Sequence, residues 1–210
     1  MTKFVKRKTE KGFTLVELAI VLVIIGIILG GIIKGQEIIA NAKIKRAYAA
    51  QKEISAAIYT YYDRYGFYPG DDPNGATKWT GITLAGVPLN EGNGLIGALS
   101  ATTSADFACT ATGTEQCNLW SELRQSGIIS GSGFTNPTHP YGGAIAVSYF
   151  NMPLGTPLLQ NWIHMNNIPY DVAQSIDQQF DDGDAKTGTI RGVTDYTTAT
   201  TGVFQIGFKM

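Results

Sequence analysis

Residues 11–33 read KGFTLVELAIVLVIIGIILGGII, and this stretch decides how the rest of the chain is interpreted. From Phe13 to Ile33, the only polar side chains are those of Thr14 and Glu17. As a helix, this stretch would be about 31 Å long, which matches the thickness of the hydrocarbon core of a bilayer. The sequence therefore predicts one membrane-spanning helix over residues 13–33.

The flanks of the apolar stretch indicate its orientation. Residues 1–12 carry five basic side chains and a single acidic one, and no flank of equal basic density follows the stretch. Because basic flanks stay in the cytoplasm, we expect the N-terminus inside and the rest of the chain outside. A cleaved secretory signal does not fit, since its apolar region spans only about 7–15 residues.

Glu17 is an ionisable side chain inside the predicted span. A carboxylate in this position costs about 2.5–3.5 kcal/mol unless it finds a partner. The span contains no Lys, Arg or His that could neutralise it. Two interpretations stay open: either the side chain reaches the headgroups at the cytoplasmic end, or another chain supplies a positive charge.

Residues 11–18, KGFTLVEL, resemble the processing site of type IV prepilins and of the pseudopilins of type II secretion systems. This resemblance implies that residues 1–12 form a leader, which an inner-membrane prepilin peptidase removes by cutting between Gly12 and Phe13. The same enzyme would methylate the new amine of Phe13 with S-adenosylmethionine. The resemblance also implies a partner for Glu17, namely the N-terminal amine of a neighbouring subunit.

The partners and location follow from the same resemblance. We expect copies of the chain or other pilins, the peptidase and an inner-membrane assembly platform as partners. The protein would first lie in a bacterial inner membrane with its head outside, and later in a periplasmic or extracellular filament. Gly26 and Gly30 form a small-xxx-small pair that allows close helix packing in lipid, although such glycines are also simply tolerated in a long apolar helix.

The helix is expected to continue beyond the membrane to Tyr65, so that it covers residues 13–65. Positions at alternating three- and four-residue spacing form one largely apolar face: Ile44, Ala47, Gln51, Ile54, Ile58, Tyr61 and Tyr65. Gly66 and Pro69 then end the helix. The many tyrosines of this part are interpreted as core and subunit interface, with an electron-conducting stack as the alternative.

Residues 66–210 are predicted to form a globular head. Short helices are expected at residues 118–125 and 171–180. Strands are expected at residues 143–150, 158–165, 188–192 and 202–208. The predicted fold class is α+β, with the long N-terminal helix packed on an antiparallel sheet; this is also the pilin-like architecture that the resemblance implies.

Cys109 and Cys117 are the two cysteines of the chain. The predicted orientation puts them in an oxidising compartment, which favours a disulfide over two free thiols. Their spacing, with no histidine close by in the sequence, is poor for a metal site.

Acidic residues cluster around Gly183, with Asp181, Asp182 and Asp184 next to it and Asp177 shortly before them. Carboxylate oxygens in a turn can bind Ca²⁺, and the resemblance to pseudopilins, whose heads bind calcium, supports this hypothesis. A solvated acidic turn is the alternative. We expect no obligatory cofactor.

Composition and charge exclude several function classes. The net charge of −1 argues against a strongly basic nucleic-acid binder, and from Asp63 onward thirteen acidic residues face six basic ones, which would repel phosphate backbones. No catalytic motif can be read, so we do not expect an enzyme. Three functions remain: a subunit of a type IV pilus or related filament, a pseudopilin of a type II secretion piston, and a signal-anchored binding domain that does not polymerise.

Overall fold

The computed structural model describes residues 12–84, 91–97, 105–197 and 202–210. The predicted leader, apart from Gly12, lies outside these residues. Contacts divide the chain into two units, Met1–Ala42 and Lys43–Met210. Each unit is described by itself.

Four helices and four strands make up the described chain. In sequence order they are α1 (Leu15–Tyr65), α2 (Gly75–Lys78), α3 (Glu115–Gln125), β1 (Ile145–Asn151), β2 (Leu159–Pro169), α4 (Tyr170–Phe180), β3 (Ile190–Gly192) and β4 (Val203–Lys209). This α+β arrangement confirms the predicted fold class.

In the first unit, the described part of α1 is a helix whose apolar side chains are exposed. It is the one described helix long and apolar enough to cross a membrane. Among the described residues of this unit, the only ion pair joins Lys34 and Glu37 at 2.7 Å, just after the predicted span.

In the second unit, α1 buries the face that the sequence predicted. Ile44, Ala47, Ile54, Ile58 and Tyr61 are buried and join the hydrophobic core. The polar exception, Gln51, is also buried, with 7% of its surface exposed. The helix ends as expected, because Gly66 follows with a φ of +81°, a backbone conformation that glycine adopts without strain.

The four strands form one antiparallel sheet with the order β1-β2-β4-β3. At its centre, Ile163 of β2 lies between Val147 of β1 and Phe208 of β4. The strand β2 is longer than predicted because a register shift between Met165 and Ile168 lets it continue past two asparagines.

Two helices of the head differ from the expectation. Helix α3 begins at Glu115 rather than at residue 118, because the Thr114 side chain accepts a hydrogen bond from the Cys117 amide and starts the helix earlier. The first turn of α3 is polar, so the spacing of apolar residues could not predict that the helix begins there. The short α2 was not expected, since it has only four residues and follows a run of turn-forming residues.

Candidate functional site

The N-terminal end of α1 is closed by a hydrogen-bonded pair, Thr14 and Glu17. The Thr14 amide donates to Glu17 Oε2 at 2.8 Å, and the Thr14 hydroxyl donates to the same oxygen at 2.7 Å. In return, the Glu17 amide donates to the Thr14 hydroxyl oxygen at 3.3 Å. This reciprocal arrangement is a capping box, which satisfies amides that the first helical turn leaves without partners.

The capping box adds a third role for Glu17 to the two that the sequence suggested. Its carboxylate is hydrogen-bonded within its own chain, next to the positive end of the helix dipole. The signal was present in the sequence, because Thr-x-x-Glu directly before an apolar run is the pattern of a capping box.

Gly12 and Phe13 lie directly before this box and outside the helix. Both residues are exposed, and Phe13 exposes 82% of its surface. The peptide bond between them therefore lies in an exposed, non-helical segment, and cleavage there stays a prediction.

Gly26 and Gly30 lie on α1 with open space around them. A Cβ built on either glycine would meet no atom within 4 Å. Nothing in the described chain therefore requires a glycine at these positions, and a packing role would depend on another molecule. That role stays a prediction.

Comparisons with known proteins point to one family. A family model described as the prokaryotic N-terminal methylation motif matches residues 7–33. A type IV major pilin protein, PilE of Neisseria gonorrhoeae, is 26% identical over 121 residues, which cover 57% of this chain and 71% of that protein. The chain is thus similar to type IV pilins, through the methylation motif at its N-terminus and through part of its further sequence. No solved structure matches this pilin-like chain significantly.

The head of this pilin-like chain contains the predicted disulfide. Cys109 and Cys117 are bonded, with their Cα atoms 5.2 Å apart, and both are buried. Cys117 lies in the first turn of α3, so the bond ties the preceding loop to this helix. The prediction of a disulfide is confirmed.

The acidic turn has a different geometry from the one expected. Carboxylate oxygens of Asp177, Asp181 and Asp182 lie within 4.8 Å of one another, and Asp184 is not part of this group. Asp177 is fully buried and accepts hydrogen bonds from the Gly183 amide and the Tyr196 hydroxyl. Burial raises the pKa of Asp177 to about 6. Asp177 lies on the preceding helix, and the sequence placed it in this acidic cluster without showing that it is buried.

Oxygens of this turn already have partners within the chain. Asp181 accepts from the amides of Thr189 and Ile190, at 2.5 and 2.8 Å. Asp182 accepts from the Thr187 hydroxyl at 2.5 Å. These bonds hold the turn within the chain, and the calcium hypothesis for Asp181, Asp182 and Asp184 stays a prediction.

A group of buried acidic residues, which no sequence pattern indicated, lies around the start of the head. Asp71, Asp72, Glu115 and Glu122 are all buried, although they come from two segments that are more than 40 residues apart in the sequence. Buried acids are rare unless they are paired. Neither hydropathy periodicity nor a motif predicts that these acids are buried, because each lies in a segment of ordinary polar composition.

Proposed function

We propose that this chain is a structural subunit that is processed at its N-terminus and polymerises through α1 into a type IV pilus or a related filament. The observation that carries the proposal is an exposed apolar helix preceded by an open Gly12–Phe13 bond. Such a surface needs either lipid or other apolar helices as its surroundings. A subunit that moves from membrane to filament meets both in turn.

Processing creates the charge that assembly uses. Hydrolysis of the Gly12–Phe13 bond by prepilin peptidase consumes one water and leaves a free amine on Phe13. This amine remains cationic after one methylation. In an apolar filament core, a cation and a carboxylate that face each other attract strongly, whereas either one alone would be costly.

The capping box suggests how the cost of placing the Glu17 carboxylate in apolar surroundings is reduced before assembly. In a single chain, its carboxylate is held by Thr14. During assembly, the amine of a neighbouring subunit's Phe13 would bind the same carboxylate and set the register between the two helices. The exchange replaces bonds from two neutral donors by a bond from a cation, so that both partners are charged.

Mass spectrometry of the native N-terminus tests the processing step. We expect a chain that begins with N-methylated Phe13, whereas an intact Met1 would contradict the proposal and favour an uncleaved anchor. Gly12→Val serves as the matched control, because a bulky residue before the cut should preserve Met1. Filaments on cells would support the pilus, while loss of protein secretion after deletion would favour the pseudopilin alternative.

A further inference from the structure

Helix α3 carries two buried carboxyl groups on one face. Glu115 exposes 2% and Glu122 exposes 0% of its surface, and the two residues lie two helical turns apart. Each uses one oxygen to hold a distant part of the backbone. The Gly97 amide donates to Glu115 Oε2 at 2.6 Å, and the Gly70 amide donates to Glu122 Oε2 at 2.8 Å.

The second oxygen of each carboxyl group, Oε1, is buried and has no hydrogen-bond partner. Buried polar atoms in folded proteins nearly always have a partner. An ionised carboxylate with a bare, buried oxygen would be especially costly. Both side chains therefore need something to neutralise them.

The groups that face the two carboxyls do not provide a counter-charge. Asp71, Asp72 and Glu91 approach from the loop after α1, and Tyr61 approaches from α1 itself. Lys78 of α2 is the cation in contact with this group, at 2.6 Å from Asp72. Among the described residues, Asp71, Asp72, Glu115 and Glu122 take part in only this one ion pair.

Asp71 and Asp72 accept more hydrogen bonds than the two glutamates, although burial still raises the pKa of Asp71. Asp71 accepts backbone hydrogen bonds from Gly92, Asn93 and Gly94. Asp72 has Lys78, the Tyr61 hydroxyl and the Asn74 amide. Their negative charges add to the cost of ionising Glu115 and Glu122.

We propose that Glu115 and Glu122 form a proton-binding pair in which each carboxyl group holds a proton at neutral pH and releases it in mildly alkaline solution. The protons keep the α3 face neutral while the other oxygens anchor the backbone at Gly70 and Gly97. Ionisation would place two buried charges among existing anions.

The electrostatics of the site agree with this geometry. Burial, joined by the neighbouring acids, raises the pKa of Glu115 to about 8, although its hydrogen bond from Gly97 lowers it. Burial likewise raises the pKa of Glu122 to about 8, against the lowering effect of the Gly70 amide. Both values lie far above the ordinary range for glutamate.

A single metal ion fits the site less well than two protons. In the described part of the chain, the groups of three acids or cysteines close enough to share an ion are Asp106 with Cys109 and Cys117, and Asp177 with Asp181 and Asp182. Neither includes Glu115 or Glu122. Carboxyl groups two turns apart on one helix are too far from each other to share one ion, so each is neutralised by a proton of its own.

Protonation of Glu115 and Glu122 stabilises the folded chain. The folded pKa of both groups lies above the unfolded one, so the folded chain binds more protons. The stabilisation is complete below about pH 4.5 and is lost as the pH rises through about 8. Above pH 6.5, unperturbed histidines are mostly neutral. A change in stability between pH 6.5 and 8.5 therefore reports on the two glutamates.

The experiment uses the full chain in detergent micelles. We expect the thermal unfolding midpoint to fall between pH 6.5 and 8.5, and expect Glu115→Gln and Glu122→Gln each to remove about half of that fall, since each removes one proton site. The matched control is Glu53→Gln, an exposed residue that pairs with Arg46 on α1. The unfolding midpoint of this variant should fall with pH as much as that of the unchanged chain.

Infrared spectroscopy provides a second readout that does not depend on the stability of the variants. At pH 7, the folded chain should show the carbonyl band of protonated carboxylic acids, and this band should shrink in each glutamine variant. A wild-type chain without the band at pH 7, or with a flat midpoint over the window, would overturn the proposal. So would a band that disappears when Ca²⁺ or Mg²⁺ is added, because a metal would then replace the protons.

Discussion

The hydroxyl of Tyr61 on α1 donates a hydrogen bond to Asp72 Oδ2 at 3.0 Å, and Asp72 is fully buried. The indole of Trp79 donates to the same Tyr61 oxygen at 2.9 Å. Lys78 reaches the same Asp72 oxygen at 2.6 Å. The loop after α1 is thus folded back onto the helix that precedes it, and one tyrosine oxygen joins both partners.

Replacing Tyr61 by Phe removes this oxygen and nothing else. We expect the free energy of unfolding of the head to fall by about 1–3 kcal/mol, because Trp79 loses its acceptor and Asp72 loses a donor. Chemical denaturation measures the change. Tyr62→Phe is the matched control: its side chain is exposed, so the change should stay within about 0.5 kcal/mol. Equal effects in both variants would contradict the role of Tyr61.

The disulfide should stabilise the head even though it closes a short loop. Cys109 and Cys117 are eight residues apart, and the loss of chain entropy in the unfolded state predicts a contribution of roughly 2–3 kcal/mol. Urea unfolding of the oxidised and the reduced chain measures it, and a Cys109→Ala, Cys117→Ala double variant should behave like the reduced chain. Identical midpoints before and after reduction would refute this.

His164 should stay neutral in moderately acidic solution. It is fully buried, with Ser148 Oγ at 3.0 Å from Nε2, and burial lowers its pKa to about 3. Because the folded pKa lies below the unfolded one, this contribution to stability is complete above about pH 6.5 and is lost as the pH falls toward 3. Nuclear magnetic resonance of the labelled imidazole should show the neutral form at pH 5. A midpoint near that of the urea-unfolded chain would contradict the prediction.

Glu17→Leu should separate membrane insertion from assembly. The variant keeps the apolar span and removes the carboxylate that would bind the amine of a neighbouring subunit. We expect membrane fractions to contain the processed chain, and electron microscopy to show no filaments. Glu37→Leu is the control, since Glu37 lies on the same helix and pairs with Lys34 outside the predicted span. Normal filaments with Glu17→Leu would refute the assembly role.

Calorimetric titration with Ca²⁺ tests the acidic turn. If an ion binds there, heat should be released in the native chain and lost in Asp181→Asn, whose carboxylate belongs to the converging group. Asp184→Asn should matter less, because Asp184 lies outside that group. A native chain without binding heat would remove the calcium hypothesis.

Much of the fold could be predicted from local patterns. The apolar run, the spacing from Ile44 to Tyr61 and the glycine after Tyr65 mark α1, and the strands are found within one to four residues of their predicted ends. Errors occurred where a polar side chain determines the structure. The Thr114 cap extends α3, and the irregularity after Met165 extends β2, and neither leaves a mark in the hydropathy pattern.

The sequence by itself determined that the chain has a basic leader-like start, an apolar helix with one acid and a separate acidic head, because charge and apolar periodicity are properties of neighbouring residues. Only the tertiary structure decided which acids are buried. Glu115 and Glu122 look like ordinary residues of a polar helical turn. They become a proton-binding pair because distant segments, at Gly70 and Gly97, cover them and exclude water. Burial depends on which segments meet in space, and this sets the charge state of a carboxyl group.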